Sequence, residues 1–142
     1  MNNNQLNQFQ IFDDLNDNQI NKFHSTLKEV TIDKGEQFIT EGQQGDSIYL
    51  LLSGSVEINQ ALTLSMNKGE SDKREKAILK LSSEMHTQFG EMSIFNEGDQ
   101  RTANVRAETA CNLARIDKSD LYSICDVNPE IGYKVMRNLG RI

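Results

Sequence analysis

The sequence predicts a mainly β fold, a sandwich or jelly roll with short α-helices at both ends, and three observations carry that prediction. Turn signals recur about every eight to ten residues between Val30 and Ile58, the spacing of all-β folds. Short apolar stretches of low period lie between them, as in SIYLLL and SVEI. Helical spacing is confined to the two ends of the chain, at Ile20, Phe23 and Leu27 and again at Ile131, Val135, Leu139 and Ile142.

The elements follow in order. Residues 1–10 are rich in Asn and Gln without periodicity and read as a flexible leader, which leaves 11–142 as one domain. Asn16 is a suitable N-cap, and the apolar spacing carries a short amphipathic helix to about Lys28. His24 within it reads as a surface or core-edge residue. Val30 and Ile32 precede the turn Asp33-Lys34-Gly35, Phe38-Ile39 precedes Glu41-Gly42, and Gly45-Asp46 opens SIYLLL before Ser53-Gly54. Leu62, Leu64 and Met66 alternate, NKGESDKREK supplies a charged turn, and Ala77, Leu79 and Leu81 resume the alternation, so this region reads as a long hairpin with a solvated tip. TACNLARI is a further strand. A helix over SDLYSIC is capped by Ser119, and another begins at NPE, where Asn128 caps and Pro129 suits the first turn. The apolar stripe of that last helix fits core packing or a homodimer seam.

A chain of 142 residues suits one core. Fifteen Lys and Arg against twenty-one Asp and Glu give a net charge of −6, a field that repels polyphosphate and anionic membrane surfaces. No direct nucleic-acid binding and no membrane partner are the corresponding expectations. Cys111 and Cys125 match no metal or redox spacing and read as buried, inert thiols. The N-terminus MNNNQLNQ lacks the features of a signal peptide, and a cytoplasmic protein is expected. With His24 and His86 as the only histidines, the chain has no metal set of the kind a jelly-roll enzyme uses. No catalytic residue, no metal and no cofactor are expected, and the chain reads as a binding module rather than an enzyme.

One segment asks for chemistry. FGEMSIFNEGDQRTANVRA, residues 89–107, places Glu91 and Arg101 in a turn-rich stretch between apolar runs, where a core wants apolar filler. Gly90 permits close backbone approach, and one helical turn over EMSIF presents free N–H groups, a ready anion site. Arg101 facing those amides adds a forked, charge-assisted contact. Glu91 beside such a site suits a ribose hydroxyl, so a ligand with one phosphate and one free sugar hydroxyl satisfies both ends. An ion pair that staples a loop explains the same two residues.

The stretches ITEGQQGDSIYLLLSGSVEI, FGEMSIFNEGDQRTANVRAETAC and DVNPEI carry a family likeness. From Ile11 to about Leu139 the chain resembles the cyclic nucleotide-binding domain, most of all the effector domain of bacterial catabolite activator proteins, and the middle stretch is similar to that family's phosphate-binding cassette. The resemblance implies an eight-stranded jelly roll, a double-stranded β-helix, holding a 3′,5′-cyclic nucleotide. It also implies that Glu91 accepts from the ribose 2′-OH, that Arg101 pairs with the cyclic phosphate, and that Gly90, Ser93 and Thr102 supply amides or a hydroxyl. Met92 and Ala103 complete the ligand-binding set. A Thr at position 102 is compatible with guanine contacts in the family, while the likeness to bacterial activators ranks cAMP ahead of cGMP. An unknown effector protein would read the signal.

Departures from the family accompany the likeness. The chain reads LSSEMHTQ where the family has a Pro-Gly-Asp turn, which offers His86 as a rim or plain surface residue. The final helix is short, where the family's activators dimerise through a long one and add a helix-turn-helix; here no DNA-binding domain follows. The rival reading is a jelly-roll interaction or dimerisation domain that has lost effective nucleotide binding.

Overall fold

The computed structural model describes residues 1–61, 76–91, 101 and 103–141. Eight strands form two four-stranded antiparallel sheets: β1 (Lys28–Ile32), β2 (Gln37–Ile39), β3 (Ser47–Ser53), β4 (Ser55–Ala61), β5 (Lys76–Ser82), β6 (Gln88–Phe89), β7 (Asn104–Ala107) and β8 (Cys111–Asp117). One sheet has the order β1-β8-β3-β6 and the other β2-β7-β4-β5. Helices α1 (Asn3–Leu6), α2 (Asp17–Asn21), α3 (Lys118–Val127) and α4 (Pro129–Gly140) flank them.

The pattern of burial explains why SIYLLL reads as a nearly unbroken apolar run. Leu51 of β3 and Leu113 of β8 face the second sheet and share a cluster with its Val56, Val105 and Ile39 and with Phe89 of β6. Their neighbours Ile48, Leu50, Ala114 and Ile116 face the helices and join Phe12, Phe23, Leu121 and Val135. Successive side chains of a strand point to opposite faces, so a sheet covered on both sides needs apolar residues at every position. Three layers result: helices, first sheet, second sheet.

Several sequence expectations change here. The first ten residues are no loose leader: α1 is capped by Asn2, and Leu6 and Phe9 are buried. Asn and Gln are silent on packing, while the two apolar residues among them are enough to anchor the segment. Asn16 does cap α2, through a reciprocal capping box with Gln19, but the helix ends at Asn21, and turns carry Phe23 and Leu27 into the core. Asp117 rather than Ser119 precedes α3. Asn128 does not cap α4; its Nδ2 donates to Ile124 O at 3.0 Å and closes the end of α3 instead. Ile131, Val135 and Leu139 are buried against the chain's own core, so the stripe weighed as a dimer seam is already used, with Ile142 outside the described residues. β4 and β5 pair from Ser55↔Ser82 to Ala61↔Lys76, giving the expected hairpin, whose alternating Leu62, Leu64 and Met66 and charged tip lie outside the described residues.

Both cysteines are free and buried; burial pushes the Cys125 thiol up to about 11, with Asp126 adding to it, which keeps it protonated. His24 meets Asn3 Oδ1 at 2.5 Å. His86 turns into the left-handed region at φ 51°, and with Phe9 and Arg141 it lines a hollow on the N-terminal side, away from Arg101. Among the described residues no helix is long and apolar enough to cross a membrane.

Candidate functional site

The site begins where β6 ends. β6 is two residues long and pairs with β3 through Tyr49↔Phe89 and Leu50↔Gln88, which brings Gly90 and Glu91 beside the start of β3. Gly90 has φ 88°, a left-handed conformation that a side chain disfavours. A Cβ there would overlap Arg101 Nη1 and lie 2.7 Å from Ser47 O. Gly90 is therefore glycine for two reasons, backbone shape and the closeness of the guanidinium.

Arg101 lies between two glycines. Its Nη2 donates to Ser47 O at 2.9 Å, and a Cβ at Gly45 would sit 2.5 Å from its Nε and 2.6 Å from its Cζ. Gly45 is not among the glycines with positive φ, so only the close approach of Arg101 demands its missing side chain. The backbone fixes the root of Arg101 on both sides: its N–H donates to Gln43 O at 2.6 Å, and its C=O accepts from Gly42 N–H at 2.8 Å. The turn 42–47, read from sequence as hairpin geometry alone, is thus half of the arginine's cradle. A glycine without left-handed backbone is the mark of such a role, and sequence does not carry φ.

Glu91 and Arg101 act on each other electrostatically. Burial pushes the Glu91 carboxyl above its ordinary range, while its own backbone N–H and Arg101 pull it back. Burial also lowers Arg101, opposed by Tyr49, Asp46 and Glu91. Glu91 Oε2 is buried and has no hydrogen-bond partner among the described residues. An unpartnered buried acceptor costs about 1–3 kcal/mol, which a hydroxyl donor would recover.

The raised Glu91 value makes a pH prediction. Because the folded state holds this proton more tightly than the unfolded chain, whose ordinary value is 4.5, the associated stability is present below that pH and is lost as pH rises through the folded value. Urea unfolding from pH 4 to 7 should show Glu91→Gln flattening the decline, by at most about 1.4 kcal/mol per pH unit. Superimposable curves for the two proteins would mean that Glu91 titrates normally.

A cavity of about 820 Å³ opens against the same wall, lined by Gly45, Asp46, Ser47, Tyr49, Arg115 and Tyr122 among others; Gly90 and Glu91 do not line it. Its far side is already paired: Asp117 meets Lys28 at 3.0 Å and Arg115 at 3.3 Å. Of the residues nominated from sequence, Gly90, Glu91 and Arg101 come together. Ala103 directly precedes β7, and Met92, Ser93 and Thr102 lie outside the described residues. The sequence reading missed Gly45, Asp46, Ser47 and Tyr49.

The chain as a whole is similar to known proteins. The family model described as the cyclic nucleotide-binding domain matches residues 29–128. The cAMP-activated global transcriptional regulator CRP of Salmonella typhimurium is 31% identical over 103 residues, covering 72% of this chain and 44% of the relative. The chain thus spans less than half the length of that curated relative. The crystal structure of the N-terminal domain of a transcriptional regulator from Streptomyces coelicolor A3(2) superposes with a TM-score of 0.79 at 25% identity, over 96% of this chain and 88% of that one. The cAMP-bound PfPKA-R (141–441) has a TM-score of 0.69 at 28% identity, over 85% of this chain and 39% of that one. These findings overturn the exclusion of nucleic acid as a partner. The Salmonella typhimurium and Streptomyces coelicolor proteins are described as transcriptional regulators, and a net charge of −6 describes these 142 residues only, not a protein of the first one's length.

Proposed function

This chain belongs to the cyclic nucleotide-binding domain family, and we propose that it is a sensor module for cAMP in which Arg101 pairs with the cyclic phosphate and Glu91 with the ribose 2′-OH. The observation that carries this reading is the pairing of a half-buried guanidinium with a buried carboxylate oxygen that lacks a partner among the described residues, on either side of Gly90. A monoanionic ring diester supplies the acceptors that a forked cation takes up. The adjacent sugar hydroxyl supplies the donor that Glu91 needs.

Met92, Ser93 and Thr102 are proposed to add amides and a hydroxyl on the phosphate side, and Gly90 and Ala103 to let the backbone approach. Glu91 must be ionised to accept well, and Arg101 is the charge that favours this form. The relative named as cAMP-activated and the cAMP-bound neighbour support cAMP over cGMP. The module is proposed to be a single domain on which the first ten residues pack, to do no catalysis of its own, and to act inside the cell, where cyclic nucleotides are made.

Calorimetric titration with cAMP, cGMP and 5′-AMP tests the reading. Saturable binding is expected for cAMP, weaker binding for cGMP, and none for 5′-AMP, whose dianionic open phosphate does not match a single guanidinium. Absence of heat and of thermal shift with both cyclic nucleotides at millimolar concentration would remove it.

A further inference from the structure

The outer face of the second sheet carries two polar rungs between β4 and β7, and they differ in what else they hold. Val56 and Val105 of these strands point into the core, so Glu57, Asn59, Asn104 and Arg106 take the opposite face. Glu57 stands opposite Arg106, whose Nη2 meets its Oε1 at 3.0 Å. On the next rung Asn59 stands opposite Asn104, and Asn104 Nδ2 donates to Asn59 Oδ1 at 3.0 Å. Asn is a poor strand former, and two of them face to face need a reason. The reason lies beyond the pair: Asn104 Oδ1 accepts from the Glu41 N–H at 2.7 Å and from Gln37 Nε2 at 3.4 Å.

Glu41 opens the loop that grips Arg101. The Gly42 N–H donates to Arg101 O at 2.8 Å, Gln43 O accepts from the Arg101 N–H at 2.6 Å, and Ser47 O accepts from Arg101 Nη2 at 2.9 Å, with Gly45 closed against the side of the guanidinium. Residues 41–47 thus hold the arginine at root and head, and Asn104, three positions after it by 104 − 101, ties down the start of the same loop. The orientation of the Asn104 amide is fixed by its partners. A backbone N–H can only donate, so the oxygen must face Glu41 and the NH2 must face Asn59, whose own oxygen accepts it.

We infer that Asn104, oriented by Asn59, is a positioning residue for the Arg101 guanidinium: it fixes the loop 41–47, whose backbone sets where the arginine's fork points. This rests on the cyclic-nucleotide reading of the site. A planar fork must be aligned to take two phosphate oxygens, whereas an ammonium on a flexible stem finds its own direction. Dependence on Asn104 therefore belongs to an arginine at position 101 and fades with a lysine there.

The test uses the whole chain and calorimetry with cAMP. Asn104→Ala should weaken binding by about fivefold, the loss expected when one hydrogen bond stops supporting a binding group. In an Arg101→Lys background the same substitution should cost less than about twofold. Arg106→Ala removes the neighbouring rung of the same two strands and should leave affinity within about twofold of wild type. The Arg101 Nε–H signal in NMR, assigned by its loss in Arg101→Leu, should shift in ligand-free Asn104→Ala, shift less in Asn59→Ala, and stay in place in Arg106→Ala. Equal losses of affinity for Asn104→Ala and Arg106→Ala would overturn the inference, because the rung would then serve only to staple the sheet. An unmoved Nε–H signal in Asn104→Ala, or an undiminished effect beside Lys at 101, would overturn it too. Failure of the wild type to bind either cyclic nucleotide would instead remove the functional reading beneath it.

Discussion

An Arg101→Leu variant will fold and will lose nucleotide-dependent stabilisation. Arg101 is half-buried and carries the positive charge that Glu91 feels, while the fold around it rests on two apolar clusters that do not include it. Hydrogen bonds to charged groups contribute about 1.5–3 kcal/mol each, so losing a forked contact to phosphate should weaken binding by about 100-fold or more. Arg101→Lys keeps the charge and loses the fork, and an intermediate affinity is expected. The unliganded melting temperature should move little, because leucine removes a charge that burial disfavours. Affinity for cAMP within about threefold of wild type in the leucine variant would sink the assignment of the site.

Phe12→Ala should cost about 3–5 kcal/mol, a large part of the 5–15 kcal/mol that holds a typical domain folded. Phe12 is fully buried, its ring lies 4.9 Å from that of Phe23 at 53°, and it belongs to the cluster that joins α3 and α4 to the first sheet. Truncation removes apolar contact on all sides and leaves a cavity among groups fixed by other bonds. Urea unfolding of the variant measures the loss. A change below about 1 kcal/mol would mean that the segment before β1 is an accessory to the fold and not part of its core.

The fold was legible where chemistry repeats with a period. Alternation and turn residues located β1, β3, β4, β5 and β8, and Gly90, Glu91 and Arg101 stood out because charge in a half-buried turn needs a reason. Short or aperiodic elements were not legible. β6 has two residues and β7 four, too few to show alternation, and both fall in the segment read as turns. The first ten residues hide their two buried apolar side chains, Leu6 and Phe9, among Asn and Gln. Gly45 was read as an ordinary turn glycine, because the approach of an arginine 56 positions later depends on tertiary structure, as 101 − 45 shows. The capping preference of Asn128 was real, but two helices meet at that residue and the C-terminal carbonyl of the first took its side chain.

The bond from Arg101 to the Ser47 carbonyl bears on how such a receptor lets go. A guanidinium has five N–H donors, so the carbonyl can keep one of them while an anion takes others. A resident backbone acceptor then holds the cation in place before the anion arrives and after it leaves, so the empty receptor need not rebuild its grip each time the messenger returns.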